Sequence, residues 1–236
     1  MSGLTMRLGQ AANGNDALAI GGTTPGEPGG AIFNAGSLTL TDCTLSENHA
    51  GDGGGGISPR IGGEGGNGGA IANLAGSLVL TRCTLTSNKA GAGGSSRSGG
   101  NGGNGGAIHG NGTNVQLSEC TLSGNIAGKG ASALGDTNAP VSFTGGHGGK
   151  GGAIHCTGGP LHVSLCTVSD NLAGKGGDAG KMAGGQGPRP GAGGHGGGLY
   201  VDGVFVLRQV HRFQQYSGCQ WGGLPPGGRR RDGRRP

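Results

Sequence analysis

Large side chains are scarce in this sequence. Aromatic residues make up 3% of the 236 residues, charged residues 12% and hydrophobic residues 31%. A chain with so few bulky side chains cannot fill a broad mixed core, so an ordinary globular domain is disfavoured and a narrow aliphatic column is favoured. No stretch approaches the roughly 20 apolar residues of a transmembrane helix, and the N-terminus has no signal-peptide pattern.

Glycine is abundant, with 64 residues. An average chain contains about 7% glycine, and the lack of a strict G-X-Y period argues against collagen. Disordered low complexity is an alternative, but apolar segments interrupt the glycine-rich stretches at regular places.

The basic charge is confined to one end of the chain. The formal net charge is +5, while residues 204–236 contain seven Arg and one Asp. The rest of the chain is therefore close to neutral, at −1. The arginine run at 229–235 could bind nucleic acid or act as a targeting patch, but no nucleic-acid-binding fold accompanies it, and we expect no nucleic-acid partner.

Four copies of one repeat decide the fold class. They begin with GGAI at Gly29, Gly68, Gly105 and Gly151, continue with apolar residues two apart, and end in N-x-A-G. Period two indicates a strand with one buried face, and a break at Asp42, Arg82 and Glu119 indicates a corner. Such short units bury their apolar faces only by stacking.

Stacking the copies one strand spacing apart, roughly 4.8 Å, gives a right-handed parallel β-helix of about four to five rungs. Equivalent residues then form three structural columns: Ile32, Ile71, Ile108 and Ile154; Cys43, Cys83, Cys120 and Cys166; Asn48, Asn88, Asn125 and Asn171. We expect the Ile and Cys columns to point inward. We expect the Asn residues to occupy a left-handed corner and to bond amide to amide.

Glycine-rich inserts separate the copies at 51–67, 91–104, 128–150 and 174–195. All leave from the same corner, where solenoids tolerate insertions and often bind. They are either flexible loops or extended segments packed on one another, and the sequence leaves both possibilities open.

GGAI followed by a strand pair ending in N-x-A resembles the polymorphic outer membrane protein repeats. It is also similar to the wider class of pectate-lyase-like parallel β-helix repeats. Those repeats also contain a second motif, F-x-x-N. In this chain an aliphatic residue replaces the aromatic residue of that motif in all four copies (Leu45, Leu85, Leu122 and Val168). The resemblance covers about residues 29–200. It implies a secreted or cell-surface location and supplies no catalytic residues.

The two ends depart from the repeat. Residues 1–28 are interpreted as an incomplete rung, residues 29–203 as the β-helix, and residues 204–236 as an irregular basic tail. Codons for residues 209–217 can be chosen so that the next reading frame restores the repeat, which predicts a frameshift. Open β-helix ends would also permit self-association.

Candidate chemical sites are weak. The Cys column is interpreted as small buried hydrophobes, because parallel stacked side chains rarely reach disulfide geometry. His155, Cys156, His162 and Cys166 suggest zinc, but His155 and Cys156 should face opposite sides of a strand. Carboxylates are scattered along the chain. We therefore expect no catalytic residue, metal or cofactor.

The sequence favours a structural or adhesive segment of a surface protein that contacts an unidentified surface ligand or a polysaccharide through its inserts. Two alternatives remain: a fragment of a carbohydrate-active β-helix enzyme without its catalytic rungs, and a nonfunctional truncated reading frame.

Overall fold

The computed structural model describes residues 1–16, 23–56, 61–135, 143–180 and 189–208, together with the backbone of 212–216. The described residues form sixteen β-strands and no helix. The strands are β1 Thr5–Arg7, β2 Ile32–Asn34, β3 Leu38–Thr41, β4 Thr44–Ser46, β5 Ile71–Asn73, β6 Ser77–Thr81, β7 Thr84–Thr86, β8 Ile108–Asn111, β9 Asn114–Ser118, β10 Thr121–Ser123, β11 Ile154–Thr157, β12 Leu161–Ser164, β13 Thr167–Leu172, β14 Leu199–Asp202, β15 Phe205–Arg208 and β16 Arg212–Tyr216.

The strands form three parallel sheets that run the length of a solenoid. The first sheet has the order β2-β5-β8-β11-β14, the second β3-β6-β9-β12-β15, and the third β1-β4-β7-β10-β13-β16. Each rung contributes one strand to each sheet, and equivalent repeat residues pair, such as Ile71 with Ile108 and Leu85 with Leu122. The predicted parallel β-helix is confirmed, with five rungs preceded by β1.

The core is the narrow aliphatic column that the composition required. Ile71, Ile108 and Ile154 are completely buried, and the Cys residues of the repeat are at most 1% exposed. They pack in one cluster with the leucines and valines of the second and third sheets. The thiols of Cys43, Cys83, Cys120 and Cys166 are free, as expected of small buried hydrophobes.

Left-handed backbone angles recur at the corners of each rung, and at two of these corners they fall mainly on non-glycine residues. The corner between the second and third sheets is at Asp42, Arg82, Glu119 and Leu165, with φ between 51° and 55°. The corner after the third sheet is at Glu47, Ser87, Gly124 and Asp170, with φ between 54° and 65°. The expectation that the Asn residues themselves are left-handed is wrong, because the residue before each Asn makes the turn.

The Asn column is the polar spine of the solenoid. Asn48 Nδ2 donates to Asn88 Oδ1 at 2.9 Å, Asn88 to Asn125 at 3.0 Å, and Asn125 to Asn171 at 2.9 Å. Each Nδ2 also donates to a carbonyl oxygen of the preceding rung, as Asn88 does to Leu45 at 3.0 Å. The predicted amide ladder is confirmed, and all four side chains are buried.

The fifth rung extends beyond residue 203, where the repeat pattern fades. β15 pairs with β12, and β16 pairs with β13 with one register shift. Residues 204–208 therefore belong to the solenoid, together with the backbone of 212–216. The frameshift hypothesis concerns residues 209–217 and remains a prediction, and the arginine run at 229–235 lies outside the described residues.

The glycine-rich inserts are ordered and packed on one another. Each insert, and the equivalent stretch before the first GGAI, has an outgoing segment that follows a strand of the third sheet and a returning segment that precedes a strand of the first sheet. The outgoing segments are 11–16, 50–56, 90–98, 127–135 and 173–180. The returning segments are 23–30, 61–69, 99–106, 143–152 and 189–197. Together these two layers form a glycine slab beside the β-helix.

Backbone hydrogen bonds cross between the two layers in a zigzag. Gly66 donates to Gly51, Gly91 to Gly66, and Gly103 to Gly91, all at 2.8–2.9 Å. A second zigzag runs three residues away, through Gly63 and Gly94. A repeat of three residues per turn in an extended chain is that of the polyproline II helix. The packed alternative left open by the sequence is therefore the observed one.

Bonds within each layer complete the network. Gly53 donates to Ala92 in the outgoing layer at 2.8 Å, and Gly65 donates to Asn101 in the returning layer at 2.9 Å. Each segment is thus bonded to neighbours in both layers, which satisfies the buried backbone polar groups without strand structure. The slab is a rigid support for any side chain that it carries.

Candidate functional site

Side chains project from the returning layer at every third position. In the run Gly62-Gly63-Glu64-Gly65-Gly66-Asn67, the four glycines are buried while Glu64 is exposed and Asn67 half-buried. The same pattern places Asn101, Asn104, His147 and Lys150 on the successive rungs. Along one segment, neighbouring side chains lie about 9 Å apart, from three residues at 3.1 Å each. The repeat therefore builds a regular grid of polar groups.

These side chains line a shallow groove of about 290 Å³ on the returning layer. Its walls are Glu64, Asn67, Asn101, Asn104, His147 and Lys150, with glycines between them. Asn101 Nδ2 donates to Glu64 Oε1 at 3.1 Å, which links the first two rungs of the groove. The lining consists of glycine backbone and polar or charged side chains, and it contains no aliphatic or aromatic hydrocarbon side chain.

The asparagines are held by the backbone of the following rung. The backbone N–H of Asn104 donates to Asn67 Oδ1 at 2.7 Å, and that of Lys150 donates to Asn104 Oδ1 at 2.8 Å. The backbone N–H of His147 donates to Asn101 Oδ1 at 2.9 Å. Since each amide oxygen is fixed in this way, the direction of each amide nitrogen is fixed too.

A ring stack adjoins the groove at Lys150. The rings of His109, His155 and Tyr200 stack on the outer face of the first sheet, with centroids 5.1 Å apart at both steps. Lys150 Nζ lies 4.6 Å from the Tyr200 ring centroid and 3.4 Å from the Tyr200 hydroxyl oxygen. This cation–π contact positions the ammonium group at the edge of the groove.

Both imidazoles in the stack are kept neutral. Burial lowers the pKa of His109 to about 4, and burial together with the neighbouring His109 and Lys150 lowers the pKa of His155 to about 4. Their Nδ1 atoms are 3.2 Å apart, so one must donate and the other accept. Protonation of the accepting Nδ1 would remove the acceptor and break this bond.

Acid should therefore destabilise the protein through this stack. The unfolded imidazoles have a pKa near 6.5, so between about pH 6.5 and pH 4 the unfolded state binds more protons than the folded state. Stability is then lost as the pH falls through this window, by a few kcal/mol for the pair. Thermal melts at pH 7 and pH 4.5 measure the loss.

The control for this prediction is the double variant His109→Ala/His155→Phe. Both replacements are residue types found at the same position of earlier rungs, at Ala72 and Phe33. Its melting temperature should fall less between pH 7 and pH 4.5 than that of the wild type. An equal fall in both proteins would assign the acid sensitivity to other groups.

The residues considered for zinc are not brought together. Cys156 lies in the core cluster, His155 in the outer stack, and His162 is exposed on β12. The predicted opposition of His155 and Cys156 is confirmed. No group of three or more His, Cys, Asp or Glu side chains within the described ranges could hold a metal ion.

Carboxylates at the corner column are separated by other residues. Asp42 accepts from Arg82 at 2.7 Å and 2.9 Å, and this bond holds the pKa of Asp42 below its usual value. The next positions in the column are Glu119 and Leu165. The arrangement is an exposed ion pair that contributes little to stability.

Reasoning from the sequence missed the groove. The signal was present as G-G-x-G-G-x in residues 62–67, 99–104 and 145–150, where the non-glycine positions recur every three residues. A three-residue period predicts side chains along one edge of an extended helix. That the edges of three such segments stack into one groove depends on pairing between segments that are distant in sequence.

No helix in the described part of the chain is long and apolar enough to cross a membrane. Comparison of the chain with protein-family models, curated proteins and solved structures finds no match. The resemblance to polymorphic outer membrane protein repeats therefore stays a prediction, and the fold and the groove are the grounds on which function is argued.

Proposed function

We propose that this chain is a structural and adhesive segment of a secreted or cell-surface protein. In this proposal the β-helix is the support, the glycine slab projects from one corner of it, and the returning layer makes contact with a surface ligand or polysaccharide. The observation that carries the proposal is the grid of polar side chains on segments whose buried glycines exchange backbone hydrogen bonds with neighbouring segments.

Rigidity makes such a surface suited to binding an extended ligand. Ordering flexible side chains and loops opposes association, and a preorganised surface avoids much of that cost. Here Asn67, Asn101 and Asn104 are each fixed by a backbone N–H of the following rung. Single polar contacts are weak, but repeated contacts along a chain add by multivalency.

Adhesion can be tested with beads that carry the purified chain. Films of neutral and carboxylated polysaccharide, dextran and alginate, are exposed to the beads under flow. We expect beads with the wild-type chain to be retained and free chain at high concentration to release them. The proposal would be contradicted if, on both films, beads with the wild-type chain were retained no better than beads coated with albumin.

The contact face is tested with two triple variants. Asn101→Ala, Asn104→Ala and Lys150→Ala change the returning layer, whereas Asp52→Ala, Lys129→Ala and Lys175→Ala change the outgoing layer. We expect the first set to lower bead retention at least fivefold and the second set to leave it within twofold. Melting curves verify that both variants are folded, and equal retention would place the contact elsewhere.

A further inference from the structure

The groove on the returning layer is lined mainly by hydrogen-bond donors. The acceptor oxygens of Asn67, Asn101 and Asn104 are occupied by backbone N–H groups of the next rung. His147 Nδ1 accepts from the backbone N–H of Ala192 at 3.0 Å. The neutral imidazole therefore carries its proton on Nε2, where it is a donor.

Four donors remain for a ligand. Lys150 contributes its ammonium group, His147 its Nε2–H, and Asn67 and Asn104 their amide nitrogens. By contrast, Glu64 is the only carboxylate in the lining, and its Oε1 already accepts from Asn101. A complementary ligand must offer many acceptor oxygens, and at least one of them should be anionic to pair with Lys150.

Charge changes sign along the slab. Asp52 and Glu64 lie on the second outgoing and returning segments and Lys129 and Lys150 on the fourth, while the fifth segments carry Lys175, Asp178 and Arg189. The groove follows this gradient from Glu64 to Lys150. An acidic ligand group is therefore drawn to the Lys150 end and repelled from the Glu64 end. This polarity would orient a chain lying along the stacking direction.

We propose that this groove binds a carboxylated polysaccharide, with a carboxylate at Lys150 and His147 and hydroxyl oxygens at Asn67 and Asn104. The lining has no apolar side chain to receive those of a peptide, which favours a hydroxylated ligand. The rung spacing of roughly 4.8 Å is close to the length of one sugar ring, so successive rungs meet successive rings. The inference rests on the proposed adhesive function and names its ligand class.

The test compares alginate with its propylene glycol ester, which keeps the sugar backbone and masks the carboxylates. Binding of soluble full-length chain to immobilised polymer is measured at low and at physiological salt. We expect at least tenfold tighter binding to alginate than to the ester, with the preference reduced by salt. Equal binding to both polymers, or no binding to alginate, would overturn the inference.

Two variants with the same change of charge locate the site. Lys150→Gln removes an ammonium group from the groove, and Lys129→Gln removes one from the outgoing layer. We expect Lys150→Gln to weaken alginate binding at least tenfold and Lys129→Gln to weaken it less than twofold. Equal effects would mean non-specific attraction and reject the groove. Retention of beads on dextran without a preference for alginate would reject only this inference, whereas failure on every film rejects the adhesive function as well.

Discussion

Replacing Gly128 by alanine is expected to destabilise the protein by at least about 3 kcal/mol. A Cβ at this position would lie 1.9 Å from the carbonyl oxygen of Gly91 and 2.4 Å from the backbone nitrogen of Gly103. Both atoms belong to the hydrogen-bonded ladder, so neither segment can withdraw without losing bonds to its other neighbours. The melting temperature should fall by about 6–12 °C for a domain of this size.

The matched control for Gly128 is Gly36→Ala. Gly36 has no heavy atom within 4 Å of a built Cβ and no positive φ. Alanine there should be neutral or slightly stabilising, because it restricts the unfolded chain. The ladder already contains one alanine, Ala131, so a methyl group is not excluded at every ladder position. The predicted destabilisation is confined to sites such as Gly128, where a Cβ would meet backbone atoms of two segments. If both variants have the melting temperature of the wild type, the glycine slab is not packed in solution as described.

Replacing Asn88 by alanine is expected to cost about 4 kcal/mol. The change removes Asn88 Oδ1, which accepts from the backbone N–H of Asn48 at 3.0 Å and from Asn48 Nδ2 at 2.9 Å. It also leaves the Leu45 carbonyl oxygen without the amide that it accepts from at 3.0 Å. Each buried group that loses its partner costs about 1–3 kcal/mol. Chemical denaturation of wild type and variant measures the difference.

Two further substitutions distinguish the hydrogen bonds from packing. Asn88→Asp keeps the shape but loses the Nδ2 donor and places a carboxylate in a buried column, so it should destabilise at least as much as alanine. Asn111→Ala changes an exposed asparagine at the end of β8 and should cost less than about 1 kcal/mol. Equal stability of all three variants would show that the ladder contributes nothing.

The β-helix was predictable because its information is local and repeated. A period of two, a corner at Asp42 and its equivalents, and identical columns across four copies admit only stacking in register. The Asn ladder followed from the same register. The prediction placed the left-handed residue one position too late in the sequence, because Asn is a residue type that tolerates such angles well. In the structure the conformation falls on Glu47, Ser87, Gly124 and Asp170. Glu and Ser in the first two copies give no such signal, although Gly and Asp in the last two do.

The fifth rung was only partly predictable. Its opening at Gly196 keeps the corner φ of 70°, but the residues after Gly203 lose the repeat pattern. Backbone pairing nevertheless continues through β15, since ladder bonds to the preceding rung are made by peptide groups and need no particular side chain.

The sequence by itself determined the rung: which residues point inward, where the chain turns, and which residues stack. Only the tertiary structure decided that the inserts are an ordered slab and that Glu64, Asn101 and His147 share one groove. The physical reason is the absence of side chains. Strand register can be read from alternating side chains, but glycine segments carry no such pattern. Their packing is set by how closely backbones that lack Cβ atoms can approach and exchange hydrogen bonds.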